Sequence, residues 1–189
     1  MKKQARSTPS KQWTQPAAVP LVRVRRAAGA GSRGWLIAGG RVIPVALGRG
    51  GILANKREGD GGTPRGMFRP LRLWWRADRG PRPRTALPIR AITAGDAWCE
   101  DPASRHYNRP IRRSTAGEGD RLMRDDHLYD LIIEIDHNTR PRIAGRGSAV
   151  FLHLARDNFG PTAGCVAMTR PNLMRLLARL GPRTRIAIG

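Results

Sequence analysis

Residues 147–170, GSAVFLHLARDNFGPTAGCVAMTR, decide how this chain is read. The first nine run as a strand of small and apolar side chains and set His153 near its end. A turn containing Asn, Gly and Pro follows. Gly164-Cys165 comes next, just ahead of a helix that starts at Thr169 or Arg170. In that helix Leu173, Leu176, Leu177 and Leu180 recur at helical spacing, and Gly181 is its expected stop. A cysteine in a glycine-containing turn can point its sulfur outward while neighbouring N–H groups converge, the geometry that acyl transfer requires of an oxyanion hole. His153, twelve residues upstream, is the imidazole within reach of the thiol proton. Taken alone, the pair also fits a small buried structural thiol, which is the commoner case.

Working outward, strand patterns dominate. LYDLIIEIDHN (128–138) is the clearest, with Leu131, Ile132, Ile133 and Ile135 as core candidates and a turn at Asn138. LVRVRR (21–26) alternates, GWLIAGGRVIPVALGR (34–49) reads as two strands around Gly39-Gly40, and LRLWWRAD (71–78) and TRIAIG (184–189) complete the set. KREGDGGTPRGMFRP (56–70) reads as a loop ending in Met67-Phe68, and residues 79–88 are Pro-rich and irregular. DRLMRDDHLYD (120–130) reads as a short helix capped by Asp120. The expected fold is mainly β, a sandwich or mixed sheet with a short helix after Cys165. Residues 1–20 form a basic tail and 21–189 the domain.

The chain has 189 residues, enough for one sizeable core, and 22 Gly with 15 Pro favour short strands and turns. Its 35 Lys+Arg stand against 14 Asp+Glu, a net charge of +21. Such a footprint attracts nucleic acid, anionic envelope polymers or acidic lipid. The charges are scattered, however, and no nucleic-acid-binding motif accompanies them, which disfavours nucleic acid. Cys99 and Cys165 lie 66 residues apart, neither a disulfide framework nor a metal-ligand spacing, although a single bridge between them stays open. Four histidines add no zinc pattern, so no metal is expected, and His127 and His137 read as solvated. No apolar run is long enough to span a bilayer. The N-terminus starts with basic residues but lacks the apolar core of a signal peptide.

FLHLARDNFGPTAGCVAM (151–168), together with GDGGTPRGMF (59–68), resembles the catalytic domain of the L,D-transpeptidases, the YkuD-like family. The resemblance implies a β scaffold, no cofactor, and peptidoglycan stem peptides as substrate, joined through an acyl-cysteine intermediate outside the cytoplasmic membrane. It assigns the nucleophile to Cys165, the proton acceptor and donor to His153, and an oxyanion amide to Gly164. It also gives the Leu154 carbonyl the task of orienting the imidazole, and matches Thr162 to the family's Ser/Thr. Thr63, Pro64, Gly66 and Phe68 are similar to a family loop. Two positions depart from the usual pattern: Ala163 stands where a second His is common, and Ala167 where Asn or Arg is common. A shortened-loop alphaproteobacterial and betaproteobacterial group is similar in these respects and also carries blocks like those at Trp98–Ser104 and Tyr107–Arg109. Its members are thought to form 1,3 links from an L-Ala–diaminopimelate donor.

The other singled-out residues have two readings each. His106, Tyr107, Asn108 and Arg109 either line the substrate groove, with Arg109 meeting a stem-peptide carboxylate, or hold their own loop by hydrogen bonds. Trp98, like Trp74 and Trp75, is core or groove wall. Cys99 reads as a partly buried loop thiol. Two alternatives to the transpeptidase stand beside it: an L,D-carboxypeptidase in which water takes the thioester, and a non-enzymatic basic envelope or nucleic-acid-binding protein with a structural Cys165.

Overall fold

The computed structural model describes residues 16–113 and 119–189. The chain opens with β1 (Leu21–Arg26), β2 (Arg33–Ala38) and β3 (Arg41–Ala46). The last two are joined through Gly39 and Gly40, both at positive φ as a tight hairpin requires. Short strand β4 (Ile52–Leu53) follows, then β5 (Thr63–Pro64) and β6 (Gly66–Phe68) within the expected loop, then β7 (Pro70–Trp75) and β8 (Ile89–Ala91). β9 (Asp96–Trp98), β10 (Pro110–Arg112) and β11 (Asp120–Arg121) form a small sheet of their own. β12 (Leu131–Ile135), β13 (Phe151–Leu154), β14 (Val166–Met168), α1 (Arg170–Leu177) and β15 (Arg185–Ile188) end the chain.

Ten strands make one mixed sheet in the order β6-β15-β1-β2-β3-β14-β13-β12-β7-β8. Phe68 and Ile188 from one end share a core with Leu73 and Ile133 from the other, so the sheet curls around that core. α1 plugs it with Leu173, Leu176 and Leu177. Strand alternation sorts the central side chains by face. Leu131, Ile133 and Ile135 of β12 enter the main core, as do Leu152 and Leu154 of β13 and Val166 and Met168 of β14. Ile132, Phe151 and Cys165 point the other way, into a second cluster with Trp74, Trp98 and Leu122. The three-stranded sheet supplies the cover for that outer face, because Trp98 comes from β9 and Leu122 directly follows β11.

Three expectations change. Residues 120–130 are not a helix: Asp120–Arg121 is a strand and turns follow. Asp126 accepts from the Leu128 N–H and from the Arg124 guanidinium, and these local bonds compete with helical ones. α1 ends at Leu177, short of Gly181, as Arg179 and Leu180 donate to Leu176 and Leu177 in a tighter turn that buries Leu180. His137 is not solvated: its ring packs edge-on against Phe68 at 5.7 Å and contacts the Arg146 carbonyl at 3.1 Å. Of the tail, residues 1–15 lie outside the described residues. Val19 is already buried in the main core, donating to the Arg179 carbonyl.

Candidate active site

β13 and β14 are parallel neighbours, with Leu152 opposite Val166, His153 opposite Ala167 and Leu154 opposite Met168. Parallel strands need a return connection, and here the eleven residues between them make it without a helix. Thr162 pins that return to the end of β3: its N–H donates to Leu47 at 2.9 Å and its carbonyl accepts from Arg49 at 3.0 Å. The chain therefore re-enters the sheet at Cys165, level with the start of β13, and His153 emerges on the same face two residues further along.

The turn before Cys165 is built by contacts between the two distant motif blocks. Gly164 has φ +149°, and a β-carbon there would lie 2.8 Å from the Gly62 carbonyl oxygen, so only glycine fits. Thr162 Oγ1 donates to the Cys165 carbonyl at 2.7 Å and accepts from the Gly164 N–H at 3.1 Å. From the first block, Thr63 Oγ1 accepts from Gly48 at 2.8 Å and reaches the same Cys165 carbonyl. The Gly164 amide, expected to serve an oxyanion, is thus engaged by Thr162. The Cys165 amide makes no hydrogen bond among the described residues.

Both cysteines are free. The Cys165 thiol donates to the Ala149 carbonyl at 3.2 Å, and its sulfur accepts from the Phe151 N–H at 3.4 Å. Burial pushes this thiol up to about 12; the Phe151 N–H works against that rise, the carboxylates of Asp120 and Glu100 add to it, and Lys56 opposes it. His153 Nδ1 lies 2.8 Å from the Leu154 carbonyl oxygen, which can only accept, so Nδ1 carries the proton and Nε2 the lone pair. Burial lowers this imidazole to about 4. At rest the site holds a neutral thiol and a neutral base.

Both residues open into a cleft of about 400 Å³ whose near wall is Thr162, Ala163, Gly164 and Ala167. The far wall was not anticipated from the sequence: Lys56, Glu58, Glu100, Asp120, Arg124 and Tyr129. Tyr129 packs edge-on against His153 at 5.4 Å and donates to Asp120 at 2.7 Å, while Arg124 stands over its ring at 5.1 Å. The one local hint was the density of charge in KREGD and DRLMRDD, which in a chain this basic reads as solvated surface.

The remaining candidates lie around the cleft rather than in its wall. Trp98 is buried beneath it, edge-on to Phe151 at 4.9 Å, and donates to Asn108 Oδ1 at 3.0 Å. Asn108, buried and at positive φ, also accepts from the Ala149 N–H and donates to the carbonyls of His137 and Asn138. It thereby holds Ala149, itself at φ +50°, whose carbonyl receives the Cys165 thiol. Tyr107 is buried, and its hydroxyl donates to Glu58 at 2.5 Å, bracing a wall residue. Arg109 is exposed and does not line the cleft; it stands near Arg142, whose basicity burial depresses and the Arg109 charge depresses further. Cys99 is buried beside Asn108, exchanging backbone bonds with it and with Arg109.

A buried cysteine and a histidine locked onto its own strand thus open together into a polar cleft on a curled β-sheet. The chain belongs to the L,D-transpeptidase family: the model of the YkuD L,D-transpeptidase catalytic domain matches residues 29–188. No curated protein and no solved structure matches it. Family membership ties the protein to peptidoglycan and to action at the cell wall. No helix among the described residues is long and apolar enough to cross a membrane, and none of their His, Cys, Asp and Glu side chains form a metal-binding group.

Proposed function

We infer that the protein is a peptidoglycan L,D-transpeptidase that works through a thioester on Cys165, with His153 as proton acceptor and donor. The observation that carries this reading is the shared cleft of Cys165 and a His153 whose Nε2 lone pair is left available by the Nδ1 bond to Leu154. When a donor stem peptide fills the cleft, the Cys165 proton passes to His153 Nε2 and the sulfur attacks the peptide carbonyl carbon. The oxyanion that develops has the Cys165 N–H as its nearest unengaged amide. Collapse breaks the C–N bond, and the leaving amine takes the proton from His153. An amine of a second stem then attacks the thioester, forming the new amide and restoring the thiol.

The finer reading is that the donor is L-Ala–diaminopimelate and the link of the 1,3 type. It rests on the resemblance to the shortened-loop group, carried by Ala163, Ala167, the short return between His153 and Thr162, and the blocks at Trp98–Ser104 and Tyr107–Arg109. The site of action is the periplasm or cell wall, where that substrate lies.

Intact-mass measurement after incubation with a carbapenem tests the central claim. One acyl adduct is expected on the wild type and none on Cys165→Ala. Cross-linking of purified muropeptides by Cys165→Ala at the wild-type rate would overturn the assignment. Product masses then separate dimers from trimmed monomers, and trimmed monomers alone would make the enzyme a carboxypeptidase.

A further inference from the structure

We propose that Lys56 is the cation that stabilises the anionic sulfur of Cys165 and the oxyanion formed there, the electrostatic part that Ala163 cannot supply. The inference rests on Cys165 being the nucleophile. Lys56 is 7 % exposed and lines the cleft. Buried lysine is rare, and a buried ion pair is weak evidence of stability because desolvation offsets its attraction. Its place here calls for another cause.

One glycine makes room for it and a second borders it. A β-carbon on Gly147 would sit 2.9 Å from Lys56 Cγ, and one on Gly164 would sit 3.7 Å from Lys56 Cε. These glycines stand just ahead of the two segments that hold the sulfur, Ser148–Phe151 and Cys165. The lysine stem therefore runs between them toward the cleft. Its ammonium donates to Asp60 Oδ1 at 2.5 Å and to the Arg57 carbonyl at 2.6 Å, which leaves one of three donors. Asp60 is fixed in turn by the N–H groups of Arg57 and Gly62, and Gly62 is the residue against which Gly164 packs. The charge is thus held rigidly to the same turn that presents Cys165.

The surrounding charges explain the need. From the covering sheet and its flanks, Asp120 and Glu100 face Cys165 and oppose its ionisation, and Lys56 favours it. Tyr129 and His153 face the sulfur as neutral groups. Arg124 is taken up by Asp126 through two hydrogen bonds. Arg49, Arg156 and Glu58 complete the charged lining. A thiolate formed in this setting meets carboxylates on one side, and Lys56 is the cation built into its own turn.

The test is the rate of Cys165 alkylation by iodoacetamide at a fixed pH of about 8, followed by peptide-resolved mass spectrometry so that Cys99 is scored separately. Lys56→Gln should slow alkylation about tenfold, since one unit in the acidity of the thiol changes its thiolate fraction by that factor. Lys56→Arg should recover most of that loss. A folded Lys56→Gln alkylated at the wild-type rate would overturn the proposal. Should that variant not fold, Asp60→Asn removes a counter-charge while its amide oxygen still accepts from Gly62. Alkylation should then be faster than in the wild type, and an unchanged rate would equally overturn it. Carbapenem acylation of the wild type reports separately on Cys165 as nucleophile.

Discussion

His153 is a base that does not hold a proton at neutral pH, because its ring is buried and its one donor is committed to Leu154. Ordinary imidazole titrates near pH 6.5, but this one is lowered to about 4. The acid limb of acylation is therefore expected near pH 4, measured as kcat/KM against pH. Stability follows the same linkage: above pH 6.5 native and unfolded chains both carry neutral imidazole. As pH falls from 6.5 toward 4 the unfolded chain takes up a proton that the native site refuses, and stability is lost. His153→Gln should flatten that part of the Tm–pH curve, and it should slow acylation about 10²- to 10⁴-fold. An acid limb near 6.5 would contradict the burial account.

At the scale of the element, the parallel pairing of β13 with β14 explains why the two alanines near Cys165 are not equivalent. Ala167 sits opposite His153, fully buried against Ala46 and Ala155. Ala163 is exposed on the return loop at the cleft edge. Ala167→Asn would replace a buried methyl packed on Ala46 and Ala155 with a larger polar side chain, and should cost about 1–3 kcal/mol by overpacking. Ala163→His should leave chemical denaturation unchanged within about 0.5 kcal/mol, since it meets only solvent and cleft. The pair is checked by urea unfolding of both variants.

At the scale of the whole molecule, the site depends on a sheet curled tightly enough to bring its first and last strands around a single core. α1 closes that core, with Leu177 fully buried. Leu177→Ala should destabilise the protein by about 2–5 kcal/mol through the cavity it leaves. Because Cys165 and His153 lie on the opposite face of the sheet, carbapenem acylation of the folded fraction should stay near the wild-type rate. Measuring Tm and acylation on one sample separates the two effects.

The strands, the hairpin at Gly39-Gly40 and the placing of Cys165 after a strand bearing His153 were legible in the sequence. Alternation and glycine turns are local properties, written within a few residues of one another. The Asp120 segment was misread for the opposite reason: the local cap signal of Asp120 is overridden by contacts of Leu122 and Tyr129 with Trp98 and Phe151 far along the chain. Tyr107 and Asn108 read in the sequence as groove lining or loop bracing, and their hydrogen bonds run beneath the cleft to Glu58 and Ala149, partners 41 or more residues away. By itself the sequence determined the main strands, the family motif and the nucleophile candidate, because each is encoded by neighbouring residues. The charged far wall, the amide left for the oxyanion and the lysine threaded between Gly147 and Gly164 were decided only by the tertiary structure. They arise where segments distant in the chain are forced together by burial of one shared core.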